Sequence, residues 1–339
     1  MKAAVIGLGP HGRRIVDCIV QSERLELAAV VDQRSDALGY EKLPEKTARL
    51  ASADELWQRG DVDVVCIATN GPSHAALAAA AMNAGARYLM VEKPMGCSLV
   101  ECDRILVQAR ETGTRVAVDH VRRHAPVYHW LRDRIASGDW GEPRAIWIQR
   151  PGIGLGCNAT HSFDAVRLIT GQDVRRVVGW VDEPVGRNPR GEQFVDPGGM
   201  AILELERGAR ATVVQIEDGA GPNSVEIDLT AARVRMDERS GEIEVIERDL
   251  SIKPGPGRPP AFSAGKVPEG LSAATPMHVM VSGCVEGLAS GEPMISDGVH
   301  GRASVEILVA TYLSHQRGNV PVKLPLKAPE ELELWLPVT

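Results

Sequence analysis

The sequence predicts an α/β chain, with a doubly wound parallel sheet first and an α+β part built on a mainly antiparallel sheet after it. Three observations carry this. The 339-residue chain opens on a strand, a glycine turn and a helix within its first 20 residues. Short apolar runs then alternate with helical patterns to about residue 120, and beyond it strand-like runs follow one another through short turns. Alternating strands and helices make parallel sheets with right-handed crossovers, whereas short turns between strands make antiparallel pairs. The predicted division is therefore residues 1–120 and residues 121–339.

The first strand is the apolar run Ala3, Ala4, Val5, Ile6, and Gly7-Leu8-Gly9-Pro10-His11-Gly12 follows it directly. Ile15, Cys18 and Ile19 then recur at helical spacing. Strand, turn and helix in that order are the context of a dinucleotide site. Gly7 permits the turn, Gly9 lets a pyrophosphate approach the backbone, and Gly12 lets the helix lie close on the strand. The unpaired N–H groups of the helix start face the anion, and Pro10 suits a first helical position. A second strand, residues 25–31, ends in Asp32, 20 residues beyond Gly12, where an acid binds the adenosine ribose hydroxyls. The same acid repels a 2′-phosphate, so NAD is the expected cofactor. Arg34, with Gln33 between it and Asp32, is the feature that would soften this preference over NADP.

Residues 52–60 read as a short helix, with Ser52 and Glu55 spaced as a capping box. The near-continuous apolar run 62–69 is a strand covered on both faces, and Asn70-Gly71-Pro72-Ser73-His74 turns from it into an alanine-rich helix. Residues 87–92 form a strand, 98–111 a helix and 115–119 a strand. In the second part a helix over 126–137 stops at Gly138. Strands are predicted at 144–149, 174–181, 200–206, 209–217, 225–229, 233–237 and 243–248. A helix over 160–169, stopped by Gly171, interrupts them early. The stretch 253–270, rich in proline and glycine, is expected to be a long loop, mobile or closing over a ligand. Helices over 277–287 and 301–314 finish the chain.

The formal charge of −7, with no polybasic run, argues against general affinity for nucleic acid or an anionic membrane. No apolar run is long enough to span a bilayer and no leader pattern precedes the first strand, so a cytoplasmic location is expected. Six scattered cysteines form no C-x-x-C pair and nine histidines show no ligand spacing, so neither disulfides nor a metal is expected.

Glu92-Lys93-Pro94 stands at the carboxyl end of a parallel strand, the edge where open α/β sheets bind ligands. Alone, Lys93 reads equally as a surface lysine. It belongs, however, to an ordered set: Gly7-x-Gly9-x-x-Gly12, Asp32, Thr69-Asn70 with His74, Glu92-Lys93-Pro94, Arg123 and Pro126, then His161-x-x-Asp164. In this order and spacing the chain resembles the glucose-fructose oxidoreductase / inositol dehydrogenase (Gfo/Idh/MocA) family, and Asp297-Gly298 and the closing 320–325 resemble that family's C-terminal signature. The resemblance implies an N-terminal Rossmann domain, a C-terminal domain with a large open sheet that binds substrate, and a homodimer or homotetramer formed through that sheet. It also implies NAD(P)-dependent chemistry at a carbinol carbon of a sugar, cyclitol or nucleotide sugar. Lys93 then matches a substrate-positioning lysine, His161 the acid/base, and the Lys93–Pro94 peptide is expected to be cis. The cofactor set is Gly7, Gly9, Pro10, His11, Gly12, Asp32, Gln33, Arg34, Thr69, Asn70, His74, Glu92 and Lys93, and the substrate set is Arg123, Cys157, Asn158 and Asp164.

These residue types suit the chemistry. Oxidising a secondary alcohol requires removal of the hydroxyl proton, which a histidine can accept near neutral pH, while a lysine stabilises the developing alkoxide. One departure stands out. Where inositol dehydrogenases of the family carry an aspartate four residues before the histidine, this chain has Cys157, followed by Asn158. Asp164, on the same helical face as His161, either takes part of that role or caps structure. A redox-neutral reaction on bound NAD and a non-catalytic sensor of NAD or sugar are the alternatives that this departure keeps open. Arg122, Arg123, Arg132 and Arg134 serve either a phosphate or nucleotide sugar or simply a solvated helix.

Overall fold

The computed structural model describes all residues except 153, 185, 187, 189, 250, 253, 254, 258, 259, 291, 337 and 339. Unbroken apolar runs make the middle of the first sheet. β1 (Lys2–Ile6) lies between β2 (Glu26–Val31) and β4 (Val64–Ile67), and all three are buried nearly throughout. With β3 (Ala48–Leu50), β5 (Tyr88–Val91) and β6 (Arg115–Val118) they form a parallel sheet of order β3-β2-β1-β4-β5-β6. The order reverses between β1 and β4, which opens a crevice at the strands' carboxyl ends.

Four helices join these strands: α1 (Pro10–Gln21), α2 (Ala53–Arg59), α3 (His74–Asn83) and α4 (Leu99–Thr112). The capping box expected at α2 is present, since Glu55 N–H donates to Ser52 Oγ and Ser52 N–H donates to the Glu55 carboxylate. β3 was not expected: three partly exposed residues carry no alternation to read.

The second part contains α5 (Pro126–Ala136), β7 (Pro143–Pro151), α6 (Thr160–Thr170), β8 (Val174–Val181), β9 (Gly199–Leu205), β10 (Arg210–Ile216), β11 (Ser224–Leu229), β12 (Ala232–Asp237), β13 (Ile243–Arg248) and β14 (Phe262–Ala264). α7 (Met277–Ala289), α8 (Gly298–Gln316) and β15 (Val322–Lys323) follow. The nine strands form one sheet of order β14-β13-β12-β11-β7-β10-β9-β8-β15. It is mixed. β7 and β10 pair in parallel, because α6 carries the chain away from β7 before the β8-β9-β10 meander brings it back alongside. The expected loop over 253–270 is corrected in part, since β14 pairs with β13 inside it; residues 253, 254, 258 and 259 lie outside the described residues.

Alternation assigns the faces. In β9, Ala201, Leu203 and Leu205 are buried toward the helices, while Met200, Ile202 and Glu204 face outward. α8 lies so close to β8 that a Cβ on Gly179 would stand 2.4 Å from the Thr311 carbonyl oxygen. The final helices also return to the first sheet: α7 packs on α1, and α8 on α4 and β6. Ser296 Oγ–H fastens this return to the Val118 carbonyl at 2.6 Å, and one hydrophobic core runs through both layers. Among the described residues, no helix is long and apolar enough to cross a membrane.

Candidate functional site

The glycine turn has the geometry its spacing predicts. Gly7 takes φ +94°, and a Cβ on Gly12 would lie 1.9 Å from the Gly7 carbonyl oxygen, so neither tolerates a side chain. A Cβ on Gly9 would meet nothing within 4 Å, which leaves the start of α1 open to an anion. Asp32 stands at the end of β2 and accepts from Leu8 N–H at 2.7 Å and Arg34 N–H at 2.9 Å. Arg34 also reaches it through Nε at 3.1 Å. Burial acts to raise the Asp32 pKa, but the bonds from Arg34 and Leu8 outweigh it and hold the carboxyl below its ordinary value. Open backbone donors and an ionised acid at the neighbouring strand end fit a dinucleotide. Gln33 and Arg34 are exposed beside that acid.

Thr69 and Asn70 follow β4 at the same edge, where Thr69 Oγ1 and Ser73 Oγ share a hydrogen bond of 2.6 Å. His74 requires a correction. It is wholly buried, with Nδ1 2.8 Å from the Pro94 carbonyl and Nε2 3.1 Å from that of Thr69, so it ties two site loops together and both its ring nitrogens are engaged within the protein. His11 meets Asp119 at 2.5 Å and Glu92 at 3.3 Å. The three place ligand atoms within 4.8 Å of one another, a spacing that could hold a metal ion, although none was expected from the sequence. Burial acts to lower the pKa of His11, but the two carboxylates outweigh it and raise it, so the imidazolium itself answers their charge.

Lys93 follows β5, and its peptide bond to Pro94 is cis. Its side chain is 9% exposed, with Nζ 3.9 Å from Glu92 and donating to Cys157 Sγ at 3.5 Å. Burial opposes its charge, but Glu92 and the Cys157 sulfur outweigh burial and raise its pKa. Cys157 and the half-buried Asn158 lie in a single π-helical turn, Leu155–Ala159, that runs directly into α6.

That turn is gripped by a residue the sequence did not announce. Asp196, between β8 and β9, accepts from Gly156 N–H at 2.6 Å and Cys157 N–H at 2.7 Å. Burial pushes its pKa up to about 6 against the pull of those two bonds and of Lys93 and Arg190. Only its contacts reveal it, since an isolated aspartate in an irregular segment carries no spacing signal.

His161 lies in the first turn of α6 and is 7% exposed, with Nδ1 buried and without a partner among the described residues. Burial, then the positive charges of Arg122, Lys93 and Arg150 and the neighbouring His120, hold its pKa well below the ordinary histidine value. Its ring meets that of His120 edge-on at 5.8 Å. Of the two readings left open for Asp164, its contacts favour the structural one: its oxygens accept from Arg123 Nε at 2.7 and 2.9 Å, and His120 Nδ1 lies 3.5 Å away. Arg123 and Asp164 are thus a buried ion pair under the site, 4% and 1% exposed, rather than groups open to substrate. Arg150, Glu238 and Tyr128 form a second buried network that was not foreseen, because its members stand far apart in sequence. Arg150 is bound by both Glu238 oxygens and by Tyr128, and its Nε donates to Ser162, next to His161.

Comparison with known proteins agrees with this geometry. Residues 1–120 match the family described as an oxidoreductase family with an NAD-binding Rossmann fold. Inositol 2-dehydrogenase of Salmonella typhimurium is 29% identical over 151 residues, 43% of this chain and 44% of the relative. 4-Carboxy-2-hydroxymuconate-6-semialdehyde dehydrogenase of Sphingobium sp. is 28% identical over 141 residues, 41% of this chain and 44% of the relative. These matches thus span less than half the length of either relative. Over nearly the whole chain the fold is that of an inositol dehydrogenase homolog of Azotobacter vinelandii, complexed with NADH and myo-inositol, with a TM-score of 0.77, 17% identity, and 95% and 97% of the two chains covered. The WlbA dehydrogenase of Bordetella pertussis, complexed with NADH and UDP-GlcNAcA, has a TM-score of 0.78 at 19% identity, covering 96% of this chain and 99% of that one. The strand–turn–helix start, the acid ending β2 and the family match agree over the same stretch: residues 1–120 are the NAD-binding Rossmann fold of the Gfo/Idh/MocA oxidoreductase family.

Proposed function

We propose that the protein is an NAD-dependent oxidoreductase acting on a carbinol or keto carbon of a sugar, cyclitol or nucleotide sugar. One observation carries the reading: Lys93, from the end of β5, is held on the turn that leads into α6, so its ammonium stands close enough to His161 to act on that ring's charge. Bound NAD supplies the hydride acceptor or donor. The remaining steps fall to the chain's own residues. Lys93 donates to the reacting oxygen and stabilises its negative charge as the hydroxyl proton leaves. His161, kept neutral by burial and neighbouring cations, accepts that proton. Asp196 fixes the turn on which Lys93 rests, and the Arg123–Asp164 pair supports α6 from beneath.

The named relatives support this class of substrate: they include inositol dehydrogenases and a 1,5-anhydro-D-fructose reductase. In this reading residues 1–120 bind the nucleotide and the remainder binds substrate. The outer face of the second sheet, where Trp147, Thr212, Ile202 and Val178 form one row across four strands, takes a second copy of the chain. A monomeric mass by light scattering at micromolar concentration would remove the last point. The activity is tested by following NADH absorbance with NAD and a panel of polyols, sugars and nucleotide sugars. No NADH from any of them, and no oxidation of NADH by the matching ketones, overturns it.

A further inference from the structure

The cations around His161 are unevenly matched by carboxylates. Arg123 is answered by Asp164 and Lys93 by Glu92. Arg150 and Arg122 have one carboxylate between them, Glu238, which is the only carboxylate within ion-pair distance of either among the described residues. Arg150 is fully engaged, with Ser162, Tyr128 and both Glu238 oxygens around it. Arg122 is not: only its Nε is hydrogen-bonded among the described residues, at 3.3 Å to Glu238, and its side chain is 18% exposed.

Arg122 follows β6 at the same sheet edge as Lys93, in the turn Val121–His124. Its partner Glu238 also binds Arg150, whose Nε donates to Ser162 next to His161, and of the charges that act on the His161 ring that of Arg122 is the strongest. The Nδ1 of that ring is itself buried without a partner among the described residues, so a polar atom inside the site remains to be satisfied. A partly exposed guanidinium with terminal nitrogens unbonded among the described residues, next to the site of a neutral histidine, selects for an anion that offers it two oxygens over a neutral hydroxyl. We propose that the substrate of this site carries an anionic group, a carboxylate or phosphate, that is bound by Arg122 beside His161.

This rests on the oxidoreductase reading for the identity of the site, and binding separates the two. Glucose, glucuronate, glucose 6-phosphate and tartrate are titrated calorimetrically into the protein saturated with NADH. One of the anions should bind on the order of ~10-fold or more tightly than glucose, and which of them does so distinguishes carboxylate from phosphate. Arg122→Gln should remove the difference and Arg122→Lys should keep part of it. Equal affinities in the unaltered protein, a difference that survives Arg122→Gln, or no saturable binding of any anion overturns the proposal. Turnover of neutral polyols alone would leave the oxidoreductase reading standing while this one fails. Anion binding without any turnover would do the reverse.

Discussion

The ammonium of Lys93 donates to the sulfur of Cys157 at 3.5 Å, in a site where the lysine is 9% exposed. Burial opposes the charge of Lys93, and Glu92 at 3.9 Å and then the Cys157 sulfur hold it, while Asp196 grips the Cys157 backbone from behind. A carboxylate thus stands against this turn through the Gly156 and Cys157 N–H groups, although residue 157 itself is a cysteine. That relationship gives Lys93, Cys157 and Asp196 separable roles.

Lys93→Met keeps the apolar stem and removes the ammonium. Turnover, as kcat/KM, should fall by on the order of ~10²-fold or more, because the reacting oxygen loses its donor. The Kd for NADH, measured by fluorescence, should stay within a few-fold of the original. Unchanged turnover would assign the lysine to structure alone.

Asp196 carries a pKa pushed up to about 6, so its carboxylate is charged above that pH and protonated below it. Once protonated it no longer accepts equally from the two N–H groups of Gly156 and Cys157, and the turn beneath Lys93 loosens. An acidic limb in kcat near pH 6 should follow, and Asp196→Asn should abolish the limb while lowering the rate at pH 8. A limb that persists in Asp196→Asn belongs to another group.

What could be read from the sequence divides by range. The glycine turn, the capping box of α2 and the placement of His161 at the start of α6 depend on neighbours within one or two turns, where spacing is informative, and Asp32 is found by its fixed distance of 20 residues from Gly12. Asp196 reaches back 39 and 40 residues to the backbone it holds, and Glu238 reaches back 88 residues to Arg150. No periodicity encodes such partners. For the same reason His74 and Asp164, both at family positions, were expected to face ligands, but burial gives each a carbonyl or a guanidinium instead. The parallel β7–β10 pair also escaped, because neighbouring strand patterns say nothing about a strand that returns after a helix and two others.

Asp32 and Arg34 set the cofactor preference together. Arg34 reaches the Asp32 carboxylate through its backbone N–H and its Nε, so its charge is committed to the acid rather than offered to a 2′-phosphate. NADH should bind roughly ~10-fold or more tightly than NADPH, and Asp32→Ala should narrow the gap by removing a ribose acceptor and freeing Arg34. Equal dissociation constants in the unaltered protein would show that Arg34 dominates.

His161 titrates from a low starting point, because burial and then Arg122, Lys93, His120 and Arg150 all disfavour its charged form. Alcohol oxidation needs the neutral ring, so activity limited by His161 is complete at neutral pH. It is lost only as pH falls through a value well under that of a free histidine near ~6.5. Cys157→Asp introduces a carboxylate four residues before the histidine, on the turn that leads into its helix. A nearby anion favours the imidazolium, so the pKa should rise and the acidic limb of kcat/KM should move to higher pH. His161→Ala should remove that limb while leaving the one that belongs to Asp196. If the low-pH limb survives His161→Ala and does not move in Cys157→Asp, the histidine is structural, and the proton leaves through Lys93, His120 or water.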